Sequence, residues 1–79
     1  MVMIGETYRL TVLGLSAACC LDVDQDGATL FFPRHTKLGR RLLAGAPDPV
    51  RAIAANYIRQ AKGWPRAQGA ETPIRFIGV

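Results

Sequence analysis

The sequence has no uninterrupted apolar run of about 18 residues, so no membrane-spanning helix is expected. Histidine occurs once, at His35, with neither a cysteine nor an acidic residue beside it. No metal-ligand spacing and no nucleophile–base pair can be read around it, and the chain is expected to be non-enzymatic, without cofactor. The two cysteines, Cys19 and Cys20, are adjacent. On a strand they point to opposite faces, so they cannot staple distant segments as a disulfide framework does. A reducing, cytoplasmic setting is the natural expectation, with Cys20 on the outward face placed to bridge two copies under oxidising conditions. Met1 to Gly5 carries no charged region ahead of an apolar stretch, so no export signal is expected. Acidic residues are few: six against ten Lys or Arg, for a formal charge of +4. That favours weak attraction to polyanions without the charge density of a dedicated nucleic-acid binder.

What is present fits one domain, 1–79. Nearly half the residues, 49%, are hydrophobic, which argues against disorder. Many are alanine, so the core is expected to be thin, and a second subunit or a larger partner would add burial.

The central stretch is Asp48 to Gly63, which carries the local signs of a helix. Asp48 suits the N-cap and Pro49 the first helical position. Val50, Ile53, Ala54, Tyr57, Ile58 and Ala61 follow the spacing that gathers one apolar face. Gly63 provides a left-handed stop, with Pro65 beyond it. Trp64 suits a plug over the end of the core.

Elsewhere period two dominates. Tyr8, Leu10 and Val12 alternate with Thr7, Arg9 and Thr11, predicting a half-buried strand over Glu6 to Leu13. Gly14 to Ala18 is read as a turn. A second strand follows, with Cys19, Leu21 and Val23 inward and Cys20, Asp22 and Asp24 outward. Gln25-Asp26-Gly27 is a hairpin signal, and Ala28 to Phe32 returns, ended by Pro33. Thr36 to Gly45 is read as a basic loop with room for two helical turns, weakened at Gly39 by ~1 kcal/mol. Arg66 to Pro73 is a polar connection, and Ile74 to Val79 a last strand with Ile74 and Phe76 on one face and Arg75 and Ile77 on the other. The expected fold is α+β: a mostly antiparallel sheet of about four strands, in the order β-β-β-α-β, with one main amphipathic helix on one face.

Two charged clusters are candidate contact surfaces. Asp22, Asp24 and Asp26 with Gly27 match the opening of a calcium loop, but its twelfth position holds Pro33 instead of glutamate, so no metal is expected. They form an acidic tip. Arg34, His35, Lys37, Arg40 and Arg41 form a basic run that suits phosphates or an acidic protein surface. Phe31, facing away from the expected core, is the aromatic beside it.

The hairpin Asp22 to Phe32, the Asp48-Pro49 helix start with Ala52, Ala54 and Ala55, and the final Ile74-Arg75-Phe76-Ile77-Gly78 together resemble small phage and mobile-element anti-CRISPR proteins directed at type I systems. The resemblance is one of architecture, and no site residue carries over position by position. It implies a stoichiometric blocker in the host bacterial cytoplasm. Such a protein binds a subunit of the CRISPR surveillance complex (Cascade) and prevents target DNA recognition without catalysis. Partner contact is then expected through Asp22, Asp24 and Asp26, as local phosphate mimics, or through Phe31, Arg34, Lys37, Arg40 and Arg41. The alternative is a small nucleic-acid-binding or antitoxin-like module using 34–41, whose binding falls steeply with salt. A third reading is an interaction module, a homodimer pairing exposed sheet edges.

Overall fold

Alternation in the first half of the chain produces a three-stranded meander: β1 (Glu6–Val12), β2 (Leu15–Asp24) and β3 (Gly27–Phe32). Two helices follow, α1 (Lys37–Ala44) and α2 (Val50–Lys62), and then β4 (Ile74–Gly78). The structure, a computed structural model, describes residues 5–45, 47–62 and 73–79. The strands form one mixed sheet in the order β1-β2-β3-β4. The first three run antiparallel, while β4 lies parallel to β3 and pairs Leu30 with Phe76 and Phe31 with Ile77. A parallel neighbour needs a crossover, and the two helices supply it. The fold is therefore α+β, as the periodicities predict.

Both helices pack on one face of the sheet. Leu10, Val12, Ala17, Cys19, Leu21, Ala28, Leu30 and Phe32 from the strands meet Leu38, Leu42, Val50, Ala54 and Ile58 from the helices. Tyr8, Ile53, Ile74 and Phe76 close the margins of this core. Burial of Cys19, aided by the neighbouring Cys20, pushes its thiol up to about 11, so it is an inert core residue.

The two helical turns allowed at 36–45 are present, and four other expectations are corrected. The stretch 36–45 is a helix of eight residues, started by Thr36, whose hydroxyl accepts the Gly39 N–H at 2.9 Å. Gly39, which lowers helix propensity, is required by packing: a Cβ there would lie 2.2 Å from the Pro33 carbonyl oxygen. The small-residue stretch after Gly14 is strand from Leu15 onward, and the turn shrinks to Leu13 and Gly14, both at positive φ. Val23 is 46% exposed near the end of β2, and Tyr57, 44% exposed beside the fully buried Ile58, lies at the edge of the α2 stripe, as does the exposed Ala61. The expected stop at Gly63, the plug at Trp64 and most of the connection 66–73 lie outside the described residues.

Within α2 the expected start holds. Asp48 Oδ1 accepts the Val50 N–H at 3.1 Å, and the Ile53 N–H donates to the Pro49 carbonyl at 3.0 Å. Arg41, near the end of α1, donates through Nε and Nη2 to the Asp48 carboxylate, the latter at 3.0 Å. This pair joins the end of one helix to the cap of the next. Arg51 adds a second link, donating to the Leu42 carbonyl at 2.7 Å while its guanidinium lies 5.4 Å from the centre of the Phe76 ring.

Candidate functional site

With both helices on one side, the other face of the sheet is left uncovered by the described residues. Strand alternation decides which side chains occupy it. β1 contributes Thr7, Arg9 and Thr11; β2 contributes Ser16, Ala18, Cys20, Asp22 and Asp24; β3 contributes Thr29 and Phe31; β4 contributes Arg75 and Ile77. The register aligns Thr7, Cys20, Phe31 and Ile77 into one row across all four strands. This row is the apolar centre of the face. Ile77 is 44% exposed, Phe31 is half-buried, and Cys20 is only 8% exposed although it points away from the core. Cys20 thus sits on the expected face but is shielded by its neighbours.

Charge flanks the row. Toward the β2–β3 turn, Arg75 donates from Nη2 to Asp24 at 2.6 Å and from Nε to the Thr29 hydroxyl at 3.0 Å, tying β4 to the hairpin. The Asp26 N–H donates to Asp24 Oδ1 at 2.9 Å. That bond first, and Arg75 second, hold the Asp24 carboxyl below its ordinary range. Asp22, half-buried in the same column, has no ion-pair partner among the described residues. Toward the β1–β2 turn, Arg9 donates to the Ser16 hydroxyl at 3.1 Å, and Thr11 to the same oxygen at 3.1 Å. Arg9 likewise lacks a carboxylate partner among the described residues.

The predicted contact residues therefore divide between two places. Asp22, Asp24 and Phe31 share the open face, and Asp26 lies at its tip. The basic residues gather at the other end of β3 and on α1. There Arg34 donates to the Gly78 carbonyl at 3.3 Å and Arg41 is engaged by Asp48. Lys37 and Arg40 project into solvent from the exposed side of α1, joined by His35 just before it.

Three residues of the open face carry no local signal in the sequence as contact residues. Arg75 and Ile77 read as one face of a strand, but which way it points and what lies beside it depend on the parallel pairing with β3. Arg9 looks like an ordinary polar position of β1.

A groove of about 320 Å³ lies on the other side of the molecule, lined by Asp48, Arg51, Ala52, Ala55, Ile74 and Phe76. Its two charged residues are already engaged, Asp48 by Arg41 and Arg51 by the Leu42 carbonyl, so both hold α1 and α2 together. No group of three or more His, Cys, Asp or Glu side chains suited to a metal ion occurs among the described residues. No helix among them is long and apolar enough to cross a membrane.

Comparison of the chain with protein-family models, with curated proteins and with solved structures gives no match.

Proposed function

We propose that this protein is a non-catalytic binding module that acts by occupying a protein surface, with the open sheet face as its contact. One observation carries the reading. Two helices cover one side of the sheet, while the other presents a central apolar row, Cys20, Phe31 and Ile77, rimmed by both signs of charge. An apolar centre with a polar rim is the anatomy of protein interfaces. Mixed charge around it suits a protein better than a nucleic acid, whose phosphates the Asp22 and Asp24 carboxylates would repel. The resemblance to anti-CRISPR proteins supplies the partner class: a protein subunit of a type I surveillance complex, blocked in target DNA recognition in the host cytoplasm.

The test is an interference assay in a bacterium with an active type I system, comparing survival of a targeted plasmid with and without this chain. Expected is restored survival, lost in Phe31→Asp. Unchanged targeting in the presence of well-folded protein would remove the CRISPR reading.

A second reading draws on Lys37 and Arg40, which are exposed on α1 and engaged by no other described side chain. They could contact phosphates, as a nucleic-acid-binding or antitoxin-like module requires. Titration of the purified protein with labelled single- and double-stranded nucleic acid tests it. Affinity would fall by nearly one log unit per log unit of salt for each phosphate contact, and Lys37→Glu with Arg40→Glu would abolish it.

A further inference from the structure

We infer that, without a partner, two copies of this chain cover each other's open sheet face in a two-fold dimer. The inference rests on the open face used by the proposed function, but not on the identity of the partner.

Only some of the charges on the face are balanced. Asp24 and Arg75 neutralise each other at 2.6 Å. Among the described residues Arg9 and Asp22 are left without charged partners, and they lie on opposite sides of the apolar row. The register places Arg9 beside Ala18, two residues beyond Cys20 along β2, and Asp22 beside Thr29, two residues beyond Cys20 the other way. Two copies facing each other can be related by a two-fold axis running along the row, midway between the sheets. That operation keeps each strand over its counterpart and reverses direction along it. The row then lies on itself: Phe31 over Phe31, Ile77 over Ile77, Cys20 over Cys20. Asp22 of one copy arrives over Ala18 of the other, a small residue next to Arg9. Asp24 arrives over Ser16, the residue to which the Arg9 guanidinium is already bonded. Each Arg9 thereby meets the opposite copy's unbalanced carboxylate, twice per dimer, as an isologous interface requires.

The competing axis, along the strands, has no such match. It sets Asp22 over Thr29, beside an Arg75 that Asp24 already neutralises, and Arg9 over the end of β4, where no described carboxylate lies. Charge complementarity therefore selects the first axis.

Size sets the strength. Four strands at ~4.8 Å spacing and about eight residues of β2 give a footprint of roughly 400 Å² per copy. That is about half the area each partner contributes to a standard interface, which puts the dimer among weak, reversible associations. A weak dimer shields Phe31 and Ile77 yet yields them to a tighter partner. Packed sheets stand ~10 Å apart, whereas a disulfide needs Cα atoms within about 7 Å. The contact therefore forms with both Cys20 thiols reduced.

Sedimentation equilibrium from about 10 to 500 μM, in reductant, tests this on the full chain. The wild type is expected to pass from monomer toward dimer mass. Arg9→Glu and Asp22→Arg are each expected to remain monomeric, with like charges facing across the interface. An equimolar mixture of the two is expected to dimerise, because every charged pair is then opposite in sign. Circular dichroism confirms that each variant is folded, and recovery in the mixture excludes a folding defect as the cause of loss. A wild type that stays monomeric to 500 μM overturns the proposal, as do single variants that associate like wild type. A mixture that remains monomeric overturns the proposed axis and the proposal with it. None of these outcomes bears on the interference assay, which reads contact with a different partner.

Discussion

Leu13 sits at φ 52 in the two-residue β1–β2 turn, 60% exposed, followed by Gly14 at φ 79. Such turns favour asparagine, aspartate or glycine at the first position, since positive φ brings a Cβ close to the backbone. Leu13→Asn is therefore expected to stabilise the protein by about 1 kcal/mol, read as a higher urea midpoint at unchanged slope. An unchanged or lower midpoint would mean that Leu13 contributes packing that offsets its strain. Gly39 gives the opposite lesson. Helix propensity alone makes Gly39→Ala favourable by ~1 kcal/mol, but the new methyl would meet the Pro33 carbonyl oxygen, which is backbone and cannot step aside. The substitution is expected to destabilise by about 1–3 kcal/mol as an overpacking change, measured by the same denaturation. Neither effect can be read from the residue's own neighbours in sequence. Leu13 reads as the last residue of a strand, and Gly39 as a helix defect, until the packing is known.

Among the elements, α2 was legible because its signals agree: Asp48, Pro49 and an apolar stripe at Val50, Ala54 and Ile58. Tyr57 and Ala61 kept the right period but lie at the edge of the stripe, where sequence spacing cannot say how wide the covered arc is. α1 was harder. Its glycine argues against a helix, and what decides is tertiary: Leu38 and Leu42 are fully buried, and Arg41 is drawn to Asp48. The hydrogen-bonded Arg41 guanidinium, together with the Val50 N–H, holds the Asp48 carboxyl below its ordinary value of 3.8. A lowered folded pKa stabilises the protein above the unfolded value and ceases to do so as pH falls through the folded one. Stability should therefore decline below about pH 4, with Asp24 acting in the same direction. Asp48→Asn keeps a capping oxygen but removes the charge. It is expected to lower the thermal midpoint at pH 7 and to flatten the acid decline. An acid slope equal to wild type would show that the pair between α1 and α2 adds nothing to stability.

For the molecule as a whole, the fold class followed from periodicity, but the open face did not. Knowing that Phe31 points outward does not say what lies beside it. Cys20 is fixed by the antiparallel register, which a hairpin makes local, whereas Ile77 arrives through a parallel pairing that no short-range signal specifies. Charge alone marks most of the acidic and basic candidates in the sequence, and Arg34, Arg41 and Asp24 prove to be tied to neighbours within the fold. Because Phe31 and Ile77 face away from the core, Phe31→Asp with Ile77→Asp should leave the thermal midpoint of a dilute sample within a few degrees of wild type. The same pair should abolish both the effect in the interference assay and self-association. A collapse of the midpoint by ten degrees or more would assign these residues to folding rather than to contact.

The parallel strand has a consequence for synthesis. Thr29 and Arg75, bonded across β3 and β4, are 46 positions apart in the chain. A ribosome adding 5–20 residues per second needs roughly 2–9 s to make that span. Throughout it the emerging meander carries an unfilled strand edge at β3, and for the first part of it Phe32 also lacks the helices that later cover it. Nascent chains crowded on one message are then at their stickiest, so the yield of intact protein should depend on translation speed more than its final stability suggests.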